Sequence, residues 1–243
     1  METGKTSKYF KYAIGEIILV VIGILIALQI NNWNENRLIK IQINQYLKNL
    51  ITDLKSDIAL YENNIDSHKE DVENKTFLLS SEAYKTLEPD SIEVMINSFW
   101  NVSSIANQTF EKIKSVGLPD ELGTPEIDKA VSDYYNNTVL SYYEYNDFHK
   151  RLTERDDLFW KYSSTLEANI VRSDVLELDN IMNNQPLEER KQELVKLLES
   201  TIGRNYIKSA LNRSALGVLF KSRFKEAAEN LVQLIEKEIK NHD

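Results

Sequence analysis

The sequence feature that most constrains this chain is an apolar run near its start, from Ala13 to Ile30. Every residue of the run is apolar or small except Glu16 and Gln29. At the rise of an α-helix the run spans roughly 27 Å, close to the thickness of the hydrocarbon core of a bilayer. A buried core helix of this length would usually show a polar face. The run therefore predicts a transmembrane helix.

The residues that flank the run are those expected at a membrane surface. Tyr9 and Tyr12 precede it and Trp33 follows it, where an aromatic belt anchors a span in the interface. A cleaved signal peptide would end in small residues, but this run ends in the polar sequence QINNWNENR. We therefore expect an uncleaved anchor. In chain order the expected segments are a short tail (1–12), a transmembrane helix (13–30) and a helical-bundle domain (31–243).

The charges on the two sides of the run favour one orientation only slightly. The tail before it carries three lysines and one glutamate, and Arg37, Lys40 and Lys48 stand against Glu35 beyond it. The positive-inside rule is therefore close to balanced. We expect a cytoplasmic tail and an exported C-terminal domain.

The composition of the chain favours helices and argues against several function classes. Seven glycines and four prolines in 243 residues are too few for a turn-rich β-sandwich. A net charge of −9 argues against a general nucleic-acid binder. The absence of cysteine excludes disulfides, zinc–thiolate sites and thiol catalysis, and says nothing about the compartment.

The pattern after the run predicts that its helix continues into a bundle. Apolar residues recur every three or four positions from Ile43 to Ile65, with no proline or glycine between Trp33 and Pro89. Six further helices are expected. The first is 72–87, the second starts at Asp90 with Glu93 in a capping box, and the third ends at Gly117. The fourth is capped by Thr124 and Pro125 and runs from 127 to about 171, and the last two are 186–200 and 205–240. The predicted fold is all-α, with an N-terminal transmembrane helix continuing into an elongated, mostly antiparallel helical bundle.

Two stretches resemble an uncharacterised family of single-pass membrane proteins abundant in Bacteroidetes. The stretch KYFKYAIGEIILVVIGILIALQINNWNENR, from Lys8 to Arg37, is similar to the N-terminus of that family. The stretch TFEKIKSVGLPDELGTPEIDKAVSDYY, from Thr109 to Tyr135, is similar to its second pattern, although Val116 stands where the family often has serine. The resemblance implies a single-pass protein of the bacterial inner membrane; a periplasmic location of the C-terminal domain is expected from the flanking charges alone. It implies no activity and no substrate.

Glu16 is the residue of the span that most suggests a function. A carboxylate inside an apolar span is costly, so it tends to be paired or functional. Glu16, Gly23 and Ala27 lie within about 20° of one azimuth of the helix, and small residues at this spacing let a second helix approach closely. One hypothesis is a self-associating span with a protonated Glu16 bonded across the interface. The alternatives are a proton relay and a side chain that reaches the headgroups and sets the depth of the helix.

A second feature is the basic run RNYIKSALNRSALGVLFKSRFK, which contains no acidic residue. Its six basic residues are Arg204, Lys208, Arg213, Lys221, Arg223 and Lys225. A basic amphipathic helix can bind anionic lipid headgroups or an acidic partner. The alternative is neutralisation inside the bundle, for example by the acidic stretches 53–73 and 188–199.

No catalytic or metal-binding constellation is readable in the chain. Its histidines, His68, His149 and His242, lack the spacing of metal ligands, and there is no phosphate-binding loop. The aromatic stripe from Tyr134 to Tyr162 predicts core, with a ligand pocket as the alternative. We therefore expect no enzyme, cofactor or metal. The expected function is a membrane-anchored helical scaffold or assembly protein whose partners are the bilayer and a second copy or another membrane protein. The alternative is a sensor-like ligand-binding bundle.

Overall fold

One helix of 78 residues, α1 (Thr3–Ser80), carries the apolar run and continues without a break into the rest of the protein. At 1.5 Å per residue α1 is roughly 117 Å long, several times the thickness of a hydrocarbon core. The structure is a computed structural model that describes residues 3–97, 103–118, 121–163, 165–168 and 184–242. The side chains of Tyr9 and Tyr12 lie outside the described part.

The remaining elements are also helical, and the described residues contain no strand, which confirms the predicted all-α class. They are a 3₁₀ turn (Ala83–Thr86), α2 (Pro89–Ile96), α3 (Gln108–Ser115), α4 (Pro125–Asp133), a π-helical turn (Tyr134–Thr138), α5 (Val139–Lys161), α6 (Leu187–Glu199) and α7 (Thr201–His242).

The two longest helices, α1 and α7, pack against each other in opposite directions and form the spine of the bundle. Arg204 near the start of α7 donates a hydrogen bond to the carbonyl of Leu79, near the end of α1. Further along α7, Phe224 packs on Tyr61. Helix α5 runs parallel to α1, as two contacts show: Tyr142 packs on Tyr61, and His149 packs on His68.

Apolar side chains form two separate cores along the spine. The proximal core, nearer the apolar run, contains Ile43, Leu47, Leu50, Leu54, Tyr61, Phe110, Ile113, Ile127, Val131, Tyr135, Tyr142, Phe224, Leu231 and Ile235. The distal core contains Leu78, Ile92, Ile96, Leu194, Leu198, Tyr206 and Ile207. The buried members of the predicted aromatic stripe therefore belong to a core, as expected.

One predicted helix end and one predicted helix start are confirmed. Gly117 follows α3 with a φ of 76°, the left-handed backbone that glycine adopts most readily after a helix. Thr124 is the N-cap residue of α4, and Pro125 occupies the first turn. In both cases the signal is local, which is why the sequence predicts it.

Three predicted boundaries are wrong. No helix begins at 72, because α1 continues to Ser80 with its buried seam intact. The N-cap of α2 is Glu88 and not Asp90, and Glu93 forms no capping box. The expected long helix from 127 is present and runs without a break through α4, the π-helical turn and α5, but it does not reach 171. One extra residue in the π-helical turn lets the adjacent Tyr134 and Tyr135 both reach the core. Helix α5 ends at Lys161, and residues 169–171 of that prediction lie outside the described part.

Candidate functional site

The apolar run is the most exposed apolar surface of the described chain. Helix α1 is the one described helix long and apolar enough to cross a membrane, and its most apolar window is 0% buried. Side chains such as Leu19, which is 73% exposed, contact no other part of the protein. Trp33, just beyond the run, is 66% exposed. Such a surface is compatible with lipid and unfavourable in water.

Glu16, Gly23 and Ala27 all lie on the exposed part of α1. A Cβ atom added at Gly23 would meet nothing within 4 Å, and the same holds for Gly15. Packing within the described chain therefore does not require glycine at either position. The shared face of these three residues remains available to an outside helix.

The six basic residues of α7 do not form one exposed surface. Arg213 and Lys221 are buried inside the bundle, and Arg204 caps the end of α1. Lys225 is half-buried and pairs with Glu62 at 2.8 Å. Lys208 and Arg223 are exposed. The hypothesis of a basic lipid-binding face therefore does not apply to Arg213 and Lys221, because the helix turns them toward α1 and α5.

A layer of buried polar side chains separates the proximal core from the distal core. This polar layer consists of Asn64, His68, Asp71 and Lys75 on α1, Asn146, His149, Thr153 and Asp156 on α5, and Arg213, Ser214 and Lys221 on α7. All of them except Asp156 are 7% exposed or less. Three helices thus bring their polar residues to one level of the bundle.

The polar layer follows from the helical repeat of the chain. The seam of α1 continues beyond Tyr61 through Asn64, His68, Asp71 and Lys75 to Leu78, still at spacings of three and four. A residue at these positions faces the other helices whatever its polarity. Sequence reasoning missed the layer because it ended the seam at Ile65, where apolar residues stop. The signal that could have found it is the uninterrupted spacing.

Two buried ion pairs close part of the layer. Asp71 accepts hydrogen bonds from Lys75, at 2.6 Å, and from Ser214 across the spine. Asp156 binds Arg213 and accepts a further bond from Ser209 at 3.0 Å. Burial acts to raise the pKa of Asp156, but the neighbouring arginines and Ser209 hold this pKa below its ordinary value. The Ser214 hydrogen bond links α7 to α1, and the Asp156–Arg213 pair links α5 to α7.

Lys221 differs from the other cations of the layer because no described carboxylate lies within salt-bridge distance of it. Its ammonium group donates a hydrogen bond to Asn146, and Nζ lies 4.0 Å from the ring centroid of Tyr142. Burial lowers the pKa of Lys221 to about 7. The layer therefore contains an amine that is close to half protonated at neutral pH.

His68 and His149 meet edge to face at the centre of the layer, with ring centroids 5.2 Å apart. Burial, reinforced by the charge of Lys221, lowers the pKa of His68 to about 4. Burial, reinforced by His68 and by Arg213, lowers the pKa of His149 to about 3. Both rings are neutral at neutral pH. The ring of His68 also lies directly over Gly217, where an added Cβ would fall 2.6 Å from it.

The polar layer and the groove beside it differ in what they can offer a ligand. The polar layer is closely packed, and no group of three or more potential metal ligands occurs among the described residues. Beside it an open groove of about 300 Å³ runs between α5 and α7, lined by Arg155, Asp156, Phe159, Ile202, Asn205, Tyr206 and Ser209. The rings of Phe159 and Tyr206 lie 5.5 Å apart in this groove.

Comparison with known proteins gives one match. The profile of DUF6090, a family of unknown function, matches residues 16–187, which include most of the apolar run, α2 to α5 and the first half of the bundle spine. No curated protein and no solved structure matches the chain. Because the matched residues make up more than half of the sequence, the chain belongs to this family of unknown function.

Proposed function

We propose that the protein is a membrane-anchored helical scaffold or assembly protein, which holds its bundle at the surface of a bacterial inner membrane and acts through contacts with other proteins. The observation that supports this proposal is the exposed apolar run joined to the bundle by one unbroken helix. We further propose that the bundle lies on the periplasmic side.

The free energy of burying the exposed apolar run favours its insertion into a membrane. Burial of each large apolar side chain is worth about 1.5–3 kcal/mol, and nothing in the described chain covers those of the run. A bilayer supplies that burial along the whole run. The aromatic side chain of Trp33 then lies at the membrane surface.

The unbroken helix gives the anchor a mechanical role. Because α1 has no proline or glycine between the run and its end at Ser80, the bundle cannot rotate freely about a hinge in this helix. An arrangement of spans in the membrane is therefore passed on to the arrangement of the bundles. A scaffold needs this kind of rigid connection.

The first experiment tests the anchor. After carbonate washing of membranes, the intact chain should remain in the pellet with its original N-terminus. A variant with Ile22→Asp and Leu25→Asp should be lost from the pellet, since two central charges make insertion unfavourable. A soluble wild-type product beginning near Asn31 would contradict the anchor.

The second experiment tests the side of the membrane. The chain has no cysteine, so Ser222→Cys on the exposed face of α7 provides a single labelling site. An impermeant thiol reagent should label it in cells whose inner membrane is intact. Labelling that requires lysis would place the bundle in the cytoplasm.

The third experiment tests association through the face that contains Glu16, Gly23 and Ala27. Close approach of two helices needs a small contact residue, so Gly23→Leu should weaken cross-linking of the full chain in membranes. Gly15→Leu is the matched control, because it adds the same side chain on another face and both sites are open in the chain. Equal cross-linking of both variants and wild type would refute this interface.

A second candidate function is binding of a small ligand by the bundle, as in a sensor. The observation that favours it is the groove beside the polar layer, where two aromatic rings adjoin the Asp156–Arg213 pair. A thermal-shift panel of small aromatic and cationic compounds on the full chain should then give stabilisation that Phe159→Ala removes. A panel without any stabilising compound would leave the scaffold as the only supported function.

A further inference from the structure

Helix α5 is attached to the spine in two different ways along its length. Near its start, Tyr142 is fully buried and packs on Tyr61 and Phe224, with ring centroids 5.5 and 5.7 Å away. Beyond Tyr142 the buried residues of α5 are polar, and no described apolar side chain there is fully buried. Among the side chains that the structure describes, the second part of α5, from Asn146 onward, therefore has less buried apolar contact with the spine than its start.

Partly buried rings add to this attachment without replacing a core. Tyr145 lies 4.8 Å from Phe220, and Phe159 lies 5.5 Å from Tyr206. Between these two contacts α5 meets the spine through His149, Thr153 and the ion pair of Asp156. The strength of the contact thus depends on whether these polar groups remain in favourable charge states.

The two histidines are the titratable groups at the centre of this contact. His149 on α5 packs against His68 on α1, and the two side chains are 6% and 5% exposed. Nε2 of His149 and Nδ1 of His68 are buried without a hydrogen-bond partner among the described residues. A proton added to either ring would create a charge with no acceptor at that nitrogen.

The charges that face the histidines come from all three helices. Helix α7 presents Arg213 and Lys221, α1 presents Asp71 and Lys75, and α5 presents Asp156. Each of the two carboxylates already binds a cation, Asp71 to Lys75 and Asp156 to Arg213. Lys221 pairs with no carboxylate of the described residues. An additional positive charge on the histidines is therefore opposed by Lys221 and Arg213 and little compensated by the carboxylates.

We propose that the His68–His149 contact is a proton-operated latch, and that proton uptake by the two rings releases the second part of α5 from the α1–α7 spine. Release places both imidazoles in water, where each can carry its proton. The proximal core stays assembled and holds α1 against α7, since this core is hydrophobic and contains neither histidine. This regulatory device goes beyond the proposed scaffold and does not depend on it.

The direction and size of the effect follow from the protonation equilibria. The pKa values are about 4 for His68 and about 3 for His149 in the latched bundle. A released helix returns both to about 6.5, so the released state binds more protons below that pH. Between pH 8 and pH 5 this linkage favours release by about 10³-fold for the two rings together. Lys221, with a pKa of about 7, adds about tenfold to release over the same window, most of it between pH 8 and pH 7, because below pH 7 its amine is largely charged in both states.

The test measures the distance between α1 and α5 directly. The chain has no cysteine, so Glu70→Cys on α1 and Arg151→Cys on α5, both exposed, can carry a pair of spin labels. Double electron–electron resonance on the full chain in lipid nanodiscs should give one narrow distance at pH 8. At pH 5 a longer, broader population should appear. A control pair across the spine, Ser56→Cys with Gln233→Cys, should be unchanged.

Histidine variants separate the latch from general acid unfolding. His68→Phe with His149→Phe keeps two rings in contact but removes both titrating groups, so the response of the label pair between pH 7 and pH 5, where Lys221 adds little, should disappear. The single variant His68→Phe should keep a response reduced by about 30-fold, which tests the proposal even if the double variant does not fold. His242→Phe is the matched control and should respond as wild type does. Identical distances at both pH values, a persisting response in the double variant, or equal broadening of the control pair would each overturn the latch.

Discussion

The buried amine of Lys221 gives the sharpest test of the electrostatics of the polar layer. Burial lowers its pKa from an ordinary 10.5 to about 7. At pH 7 this amine is therefore almost fully protonated in the unfolded chain and about half protonated in the folded chain. Burying this amine therefore costs about 4 kcal/mol of folding free energy at pH 7. Lys221→Met keeps the length of the side chain and removes that cost. It also leaves the amide oxygen of Asn146 without its donor, at about 1–3 kcal/mol.

The net expectation at pH 7 is that Lys221→Met stabilises the protein by about 1–3 kcal/mol. The sign depends on pH in a defined way. Because the folded pKa lies below the unfolded one, the unfolded chain binds more protons between pH 7 and 10.5, and wild-type stability rises across this window. Between pH 7 and 9.5 the rise is about 3 kcal/mol. The variant lacks this rise, so its advantage should vanish or reverse at pH 9.5.

The assay is urea denaturation of the full chain in lipid nanodiscs, followed by near-UV circular dichroism of the buried tyrosines. Lys208→Met is the matched control, since Lys208 is an exposed lysine on the same helix and its loss should change stability by less than about 0.5 kcal/mol. If Lys221→Met destabilises the protein equally at pH 7 and pH 9.5, the amine is charge-compensated in the fold. Burial of Lys221 would then not carry the free-energy cost stated above.

Three further substitutions test other contacts by the same urea assay. Gly217→Ala should destabilise by about 1–3 kcal/mol, because its Cβ would fall 2.6 Å from the ring of His68, and His68→Ala should relieve this loss. Arg190→Leu should cost about 3–5 kcal/mol by leaving Glu93, 2.8 Å away and buried, without its cation, and adding Glu93→Leu should recover most of it. Leu54→Ala, at a fully buried site, should cost about 2–5 kcal/mol. A change in unfolding free energy near zero for any of the three substitutions would contradict the prediction for that substitution.

The buried Arg190–Glu93 pair also explains why the start of α2 was mispredicted. Asp90 and Glu93 have the spacing of a capping box, but both bind Arg190 on α6. These carboxylates, which could accept bonds from the backbone of their own helix, bind a guanidinium instead, because the guanidinium is an ionised partner and a backbone N–H is a neutral one. The residues around Asp90 and Glu93 do not predict a contact with a cation about a hundred residues away in the sequence.

The sequence by itself determined the features that depend on neighbouring residues. The length of the apolar run, the continuation of its helix as far as Ile65, the all-α class, Gly117 at the end of α3 and the Thr124–Pro125 start of α4 all follow from local chemistry. Helical spacing, backbone conformation and proline geometry act over a few residues, so they can be read from one stretch at a time.

Only the tertiary structure decided which polar residues are buried and what they contact. His68 and His149 are far apart in the chain, and Lys221 is farther still, yet they meet at one level of the bundle. The helical repeat fixes that each faces inward, but the register between helices decides its neighbours. That register is set by the two apolar cores above and below the layer. A polar residue at a seam position therefore becomes part of a polar layer only when the other helices place polar residues opposite it.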